Sequence, residues 1–533
     1  MKINISLLLF LIVSVYGTTF ISLKDKRVYD MLENLDSRGV IDIKFKGMKP
    51  YRVDKVYKLL KSIDKKDINI ESFIREFEER YINIEERLLS GRKGKAKGGI
   101  SPFLDQSIVF QGETDGSNED LANITDVGIN ADLSYGKHLS FSSKTGVKFN
   151  YEGLLLRDEY RNALIFDHTD NSFSSEDYSE TFLMYSNNNI DLSIGRAPVQ
   201  QGSGYINSLS LREQHSYFDL IYFNWEFSSL KFSTVSGFLL PDYETRYEYK
   251  DSLFTNGQFV EKYTPKRREK YLSSHRLEWR VSKNFWLGIN ENLIYGDRGV
   301  ELGYLFPILP LKWSEHYYGD HDNSTMSFDF YYKPIKNISL YGELFIDDET
   351  WQKSFTEYYG NKWAVLGGFY YADLFTIPYL NFRFETTRIE PWVYTHKYHI
   401  NRYMSCEDYL GGEFGPDSES FMFSMDYRWN FLVVKLGYKR ANVGEPIEGN
   451  EDEQVGYENY PDVKKFFLNG NVENHYYYSF EADYRYNKYL SFNLYYSHRD
   501  IVDYNHIKGN IYSNNSIGVS LKLNILETPL FNY

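Results

Sequence analysis

Three carboxylates occur together in one segment of the sequence, at Glu343, Asp347 and Asp348. Residues an even number apart in a β-strand share a face, so Glu343 and Asp347 would point the same way and Asp348 would follow at the strand's end. Two such carboxylates can act as the acid and the nucleophile of a glycosidase. Inside a barrel, acidic residues more commonly balance Arg and Lys in a polar lumen. Two interpretations therefore stay open: a hydrolase pair, and a lumen cluster that anchors a loop or contacts a sugar.

Histidine and arginine residues offer two further possibilities. His396 and His399 are close enough to suggest metal binding, but no helix and no nearby Cys accompany them, so we predict loop hydrogen bonding and no metal or other cofactor. Arg196 follows Gly195 in an alternating segment, and we predict a salt-bridge partner in a lumen rather than an anion-binding group. The sequence has no H-E-x-x-H, G-x-S-x-G or Gly-rich phosphate loop in a suitable context. We therefore predict no catalytic residues and no enzymatic activity.

The segments that would carry these residues alternate between apolar and polar positions from Ile100 to the end of the chain. One example is the set of apolar residues Met326, Phe328, Phe330 and Tyr332, which are separated by single residues. Alternation with a period of two predicts β-strands that have one apolar face and one polar face.

The connections between the predicted strands alternate in length. Short turns are expected at 282–284, 335–337, 429–430 and 487–488, and long polar connections at 242–270, 297–323, 347–362, 386–419, 441–475 and 499–514. This sorting is typical of outer-membrane barrels, which have short periplasmic turns and long external loops. Strand and connection lengths give about 16 to 18 strands. The predicted fold class is all-β, a transmembrane antiparallel β-barrel with a small α-helical N-terminal domain.

The first 99 residues differ from the rest. Residues 1–17 join a basic start to a short apolar run, the pattern of a cleaved secretory signal peptide. Three later stretches, near 28–35, 53–60 and 70–81, have helical spacing of apolar residues. We therefore predict a signal peptide (1–17), a periplasmic helical leader domain with its linker (18–99) and an outer-membrane barrel (100–533).

Composition excludes several classes of protein. The mean hydropathy of −0.51 and the lack of long apolar runs argue against a helical membrane protein, whereas a barrel with a wet interior accommodates such an average. A net charge of −14 argues against a nucleic-acid partner, because phosphate recognition requires a basic surface. The single Cys406 cannot form an internal disulfide.

Several segments share a pattern with one family. They are DLSIGR at 191–196, GSG at 202–204, SLSL at 208–211, Phe306-Pro307 ahead of Asp322-Asn323, LYGELFIDD at 340–348, YTH at 394–396 and LGGEFGPDS at 410–418. In this order they resemble the Wzi family of outer-membrane capsule-assembly proteins. VYDML at 28–32 and KPYR at 49–52 are similar to the helical leader of such barrels.

The resemblance implies a surface lectin that attaches secreted polysaccharide to the bacterial outer membrane without making or cutting sugar bonds. The implied partners are capsular or extracellular polysaccharide and outer-membrane lipid. The final strand, around 516–523, would also be read by the barrel-assembly machinery during insertion. The candidate polysaccharide-binding residues are Arg196, Asp322, Asn323, Glu343, Asp347, Asp348, Tyr394 and His396. A porin or substrate-specific channel and an outer-membrane hydrolase stay open as alternatives.

Overall fold

The computed structural model describes residues 19–64, 66–82, 89–93, 96–113, 119–151, 165–167, 173–213, 217–241, 247–255, 258–265, 268–350, 352–406, 408–446, 464–487 and 489–524. The predicted signal peptide, residues 1–17, lies outside these described residues.

Eighteen antiparallel strands form a closed barrel, which confirms the predicted fold class. In chain order they are β1 (Ala96–Glu113), β2 (Glu119–Tyr135), β3 (Leu139–Tyr151), β4 (Phe173–Ser186), β5 (Ile190–Arg196), β6 (Asp219–Phe227), β7 (Leu230–Leu239), β8 (Lys270–Ser282), β9 (Phe285–Gly296), β10 (Asn323–Ile335), β11 (Ile338–Asp348), β12 (Lys362–Tyr371), β13 (Leu380–Ile389), β14 (Ser418–Trp429), β15 (Leu432–Val443), β16 (Glu473–Arg485), β17 (Leu490–Val502) and β18 (Ile511–Asn524). Each strand pairs with the next along the chain, and β18 pairs with β1 to close the barrel, as at Ile517 and Phe110. The first strand begins at Ala96, ahead of the predicted boundary at Ile100.

Short strands outside this ladder form local pairs. Leu89–Lys93 pairs with β1, Ile165–Asp167 with β4, Met48–Lys49 with Gln200–Gln201, Tyr247–Thr255 with Gln258–Pro265, and Met404–Ser405 with Asp408–Tyr409.

The connections are sorted by length between the two ends of the barrel. One end, here the short-turn end, carries the connections 136–138, 187–189, 228–229, 283–284, 336–337, 372–379, 430–431 and 486–489. The other end, here the loop end, carries longer connections that include 197–218, 240–269, 297–322, 349–361, 390–417 and 444–472. The sorting follows the sequence prediction.

Within the described residues, the α-helices lie in the leader and in one connection between strands. The leader carries α1 (Lys26–Ser37), α2 (Val53–Lys61) and α3 (Ile68–Phe77), with a π-helical turn at Glu78–Ile82, and the β9–β10 connection carries α4 (Leu302–Leu305) and α5 (Leu311–Tyr318). Helix α1 stops before Gly39, which has a φ of +70° that most side chains avoid. Asp67 caps α3 by accepting backbone hydrogen bonds from Asn69 and Ile70. The apolar faces of the three leader helices pack into one cluster.

The leader helices lie inside the short-turn end of the barrel rather than beside it. Their polar side chains form ion pairs with inward-facing residues, including Asp30 with Lys435 (2.6 Å), Arg52 with Asp191 (2.5 Å) and Glu76 with Arg428 (2.9 Å). Burial alone would raise the pKa of Glu76, but the nearby arginines, among them Arg27 and Arg428, lower that pKa well below its usual range. The carboxylate therefore stays charged and holds the leader in the barrel.

The connection after β5 folds into the lumen from the loop end. Within this inner loop (197–213), Val199, Leu209 and Leu211 are at most 3% exposed and belong to a buried core shared with Phe345 and Leu366 of the wall. The inner loop meets the leader where Gln200–Gln201 pairs with Met48–Lys49. Leader and inner loop thus fill much of the lumen together.

The outer face of the barrel is apolar and exposed. Ile289, Phe328, Leu436 and Val519 lie on different strands and are 38%, 41%, 51% and 55% exposed. Their strand neighbours point inward and are polar or small, as the alternation predicts. Among the described residues, no helix is long and apolar enough to cross a membrane.

Candidate functional site

Glu343 anchors the inner loop. It points inward from β11 and is 4% exposed. Its carboxylate accepts hydrogen bonds from the backbone N–H groups of Leu209 (3.0 Å) and Ser210 (2.7 Å) and from the Ser208 hydroxyl (3.1 Å). Because both oxygens are engaged by the loop, Glu343 is arranged as a positioning residue and is not open to a ligand.

Asp347 and Tyr394 extend this buried network to the external loop 390–417. Asp347 accepts a hydrogen bond from the Tyr394 backbone N–H (2.6 Å). The Tyr394 hydroxyl donates to the Leu209 carbonyl (3.0 Å) and accepts from the Gly412 N–H (3.0 Å), while the residue is 0% exposed. Three candidate residues are thus brought together, and their geometry fastens the inner loop to the external loop. It does not present an open acid and nucleophile.

Asp322 and Asn323 are adjacent in the chain but hold different elements. Asp322 accepts hydrogen bonds from Arg298 (2.9 Å) and from the Tyr304 hydroxyl (2.6 Å), which fixes the β9–β10 connection. Asn323 points inward and donates to the Asn401 carbonyl (2.9 Å), which ties down loop 390–417. Both residues are at most 5% exposed, so they support the external surface from below.

Arg196 lies on the outer face of β5, so the predicted lumen position is wrong. It shares its side of the strand with the exposed Ile194, because residues two apart point the same way. The predicted salt bridge is present, with Asp219 of β6 at 2.8 Å. Asp348 is half-buried at the loop end of β11, where it accepts from the Glu349 N–H (3.0 Å).

A group of side chains covers this network at the loop end, and three of its four members are exposed, while His396 is half-buried. We call His321, His396, Lys397 and Tyr398 the mouth cluster. The Tyr398 ring is 44% exposed and lies 6.0 Å from the His321 ring and 5.6 Å from the His396 ring, centroid to centroid. The Lys397 ammonium lies 5.2 Å from the centre of the Tyr398 ring. The Asn401 side chain donates to the His321 carbonyl (3.0 Å), so Asn323 and Asn401 link the cluster to the barrel wall.

The chemistry of the mouth cluster suits a sugar. A tyrosine ring offers a flat apolar face, and the imidazoles and the ammonium supply hydrogen-bond donors and acceptors for hydroxyl or carboxylate groups. Burial, with Lys362 nearby, lowers the pKa of His396 to about 3, so that ring stays neutral at physiological pH. The Tyr398 N–H donates to its Nδ1 (3.1 Å), which leaves Nε2 as the N–H donor.

Within the described part of the chain, no group of three or more His, Cys, Asp or Glu side chains is placed to hold a metal ion. The sequence identified His396 but not His321 or Tyr398. The available signal was the concentration of aromatic residues and histidines in two predicted loops. The meeting of those loops in space could not be seen in the sequence, because the contact joins residues far apart in the chain.

Comparison with known proteins supports the fold. No family model matches the chain, and no curated protein matches it by sequence. Wzi of Escherichia coli, an outer-membrane protein involved in group 1 capsule assembly and a carbohydrate-binding β-barrel, is similar in structure with a TM-score of 0.60 and 13% identity, over 95% of this chain and 99% of Wzi. OpdK of Pseudomonas aeruginosa gives a TM-score of 0.42 and 11% identity over 80% of this chain and 99% of OpdK. OccAB1 of Acinetobacter baumannii gives a TM-score of 0.40 and 10% identity over 80% of this chain and 97% of OccAB1. The similarity to Wzi shows that the chain shares the closed antiparallel barrel fold of that protein.

Proposed function

We propose that this protein is a Wzi-like outer-membrane barrel that binds an extended surface polysaccharide and supports its assembly or attachment at the cell surface, without catalysing a reaction. The observation that carries the proposal is the mouth cluster. It combines an exposed aromatic ring with hydrogen-bonding groups that suit a sugar, and buried hydrogen bonds hold it in place. Loops fixed on a rigid scaffold are where binding residues commonly lie.

Placement in the outer membrane rests on the outer face. Exposed apolar side chains on strands all around the barrel are unfavourable in water and suit lipid. The predicted signal peptide would export the chain, and the barrel-assembly machinery would insert it. Because the short turns lie at one end, we assign that end and the leader to the periplasm and the mouth cluster to the outside.

The roles of the carboxylates support the proposal of binding without cleavage. Glu343 and Asp347 are engaged by loop backbone, so the hydrolase interpretation has no exposed acid and nucleophile among the candidate residues. Weak contacts with one or two sugar units become useful when many copies of the barrel hold one polymer, since multivalency multiplies modest affinities.

A channel is the second candidate, and one observation favours it. Lys144 and Ser479 point inward from β3 and β16 yet are exposed, which indicates water inside the lumen along that wall. The leader and the inner loop stand across the rest of the lumen, so a channel would have to follow this wall.

The test is a deletion in the cells that make the protein. We expect the mutant to synthesise polymer of normal length but to release it into the medium, and we expect plasmid-borne wild-type protein to restore retention. Shortened polymer or released sugar from purified protein would favour a hydrolase. Normal retention combined with large, steady ion conductance in planar bilayers would favour a channel.

A further inference from the structure

The β9–β10 connection folds back over the outside of the barrel instead of extending from the loop end. Leu293 and Tyr295 occupy outward positions of β9, alternating with the inward Asn292 and Ile294, yet they are at most 1% exposed. They are buried because they pack in one cluster with Tyr304 of α4 and Leu311 of α5. The two helices therefore lie against the outer wall.

The depth of α5 follows from its contact with Glu291. This outward residue of β9 accepts hydrogen bonds from the backbone N–H groups of Leu311 (2.8 Å) and Lys312 (2.7 Å). Since β9 ends at Gly296, α5 begins about 16 Å along the strand from the loop end. Glu291 pairs with Met326, where the exposed apolar row of β10 begins. The helix thus starts beside the apolar surface that we assign to lipid.

The surface that α4, α5 and the residues between them turn away from the barrel is apolar and exposed. Its members are Leu302 (79% exposed), Phe306 (58%), Ile308 (71%), Trp313 (69%) and Tyr317 (85%). Trp313 and Tyr317 are four residues apart and share one side of α5, whereas Lys312 and His316 share the next side around the helix. Large aromatic residues beside basic ones, on a helix that lies flat, are typical of membrane-interface helices.

We propose that α4 and α5 form an interfacial anchor, in which Leu302, Phe306, Ile308, Trp313 and Tyr317 contact lipid acyl chains of the outer leaflet and the edge with Lys312 and His316 faces the headgroups. Lipid is the occupant because the patch continues the exposed apolar row of β10. The inference rests on the membrane placement in the proposed function and not on polysaccharide binding. Such an anchor would fix the height of β8–β10 in the membrane and thereby hold the nearby His321 above the lipid.

Site-directed spin labelling tests the anchor. In a C406S background, single cysteines at Trp313 and Tyr317 would be labelled, with Leu436→Cys as the lipid-facing reference and Lys508→Cys as the aqueous reference; both reference positions are exposed. The barrel would be reconstituted in vesicles of phosphatidylcholine with lipopolysaccharide. Folding of each variant would be checked by its faster migration on unboiled gels. Collisions with oxygen, which partitions into lipid, would be compared with collisions with a water-soluble nickel chelate.

We expect labels at 313 and 317 to match the Leu436 reference, with an oxygen-to-nickel ratio several-fold above that of the Lys508 reference. A ratio like that of Lys508, with Leu436 lipid-like, would overturn the anchor and leave the membrane placement intact. Protection from both reagents would overturn it in favour of protein cover, such as a second copy of the chain. An aqueous result at Leu436 as well would overturn the membrane placement itself.

Discussion

Two parts of the barrel wall share one sequence pattern but differ on the inside. Along β8–β13, here the filled wall, inward polar residues such as Asn290, Ser327 and Thr387 are at most 5% exposed. Along β16–β18 and β1–β3, here the open wall, the inward Lys144 and Ser479 are exposed. Alternation therefore tells which way a side chain points, but it does not tell whether protein or water lies opposite.

The difference arises from where the inserted segments attach. The inner loop is bound to β11 through Glu343, and the leader fastens to the filled wall through contacts such as that of the Trp286 indole with the Lys44 carbonyl (2.8 Å). On the open wall, the leader reaches the short-turn end, where Arg27 pairs with Asp483 (2.5 Å). The polar lumen of a barrel can thus serve as a dry core on one side and a wet surface on the other.

The largest expected effect is a difference in stability when the same substitution, Arg to Ala, is made on each of the two walls. Arg276 on β8 is 1% exposed and binds Asp329 (2.6 Å) and Asn290 (2.7 Å), so Arg276→Ala leaves a buried carboxylate unpaired and should lower the free energy of unfolding by about 3 to 5 kcal/mol. Arg499 on β17 is half-buried, so water can replace the contacts that Arg499→Ala removes, among them the one with the Tyr477 ring centre at 5.2 Å, and the substitution should cost about 1 kcal/mol or less. Reversible unfolding in lipid vesicles measures both. Equal losses would mean that the open wall is not wet.

Outward substitutions should be insensitive to this difference. Ile289 on the filled wall and Leu494 on the open wall are 38% and 41% exposed, and both point outward, to the side that we propose faces lipid. Ile289→Arg and Leu494→Arg should each destabilise the barrel by about 2 to 4 kcal/mol if they lie near the midplane, because lipid cannot solvate the charge. The same unfolding experiment provides the measurement, and a small effect at either position would show that its strand is misplaced in the membrane.

A smaller effect should follow from weakening the loop anchor. Glu343→Gln replaces one acceptor oxygen with a donor facing loop N–H groups, which should cost about 1 to 3 kcal/mol and loosen the inner loop. The matched control is Glu481→Gln on the open wall, where the carboxylate accepts from Asn493 (2.8 Å) and water can replace the lost contact. Protease sensitivity of residues 197–213 should rise only in the Glu343 variant. The same rise in both variants would show that the two walls do not differ in how they hold the inner loop.

The smallest effect concerns pH. The pKa of His396 is lowered to about 3 by burial, so any stability that its neutral form gives to the loop is present above its ordinary pKa of about 6.5 and is lost as pH falls toward 3. In an NMR titration, with the signal assigned by its loss in His396→Gln, we expect no inflection above about pH 4. An inflection near pH 6.5 would show that His396 is exposed to water and is not packed in the mouth cluster.

The sequence was sufficient to predict the elements in which one pattern of apolar residues recurs along the chain. Every strand has one outward and one inward face, so alternation grouped Phe328 and Phe330 on the apolar face that lies outside, and helical spacing grouped Val28 and Phe73 with the apolar residues of the leader. Features that depend on distant contacts were not predicted. The inner loop is held by a contact between Glu343 and Leu209, 134 residues apart. Helices α4 and α5 fall in a stretch that was predicted as a polar loop. The role of their apolar residues depends on packing against the outer wall, which the sequence does not show.

Arg196 illustrates a related difficulty. Its charge suggested a lumen position, because charged side chains are rare on a lipid-facing surface. It lies instead at the last residue of β5, at the loop end, where its partner Asp219 begins β6 and the outer surface is no longer apolar. Charge therefore predicts the inward face in the middle of a strand more reliably than at its ends.

The central claim is that the mouth cluster holds a surface polysaccharide, and direct binding to the reconstituted barrel tests it. Polymer from the same cells would be titrated against vesicles carrying wild-type protein or the double variant His321→Ala, Tyr398→Ala, with Lys508→Ala as an exposed control on another external loop, and the polymer length would be measured before and after. We predict binding by wild type and the control, at least about tenfold weaker binding by the double variant, which corresponds to about 1.4 kcal/mol, and unchanged polymer length. Undiminished binding by a correctly folded double variant, or no binding by wild type, would contradict the account.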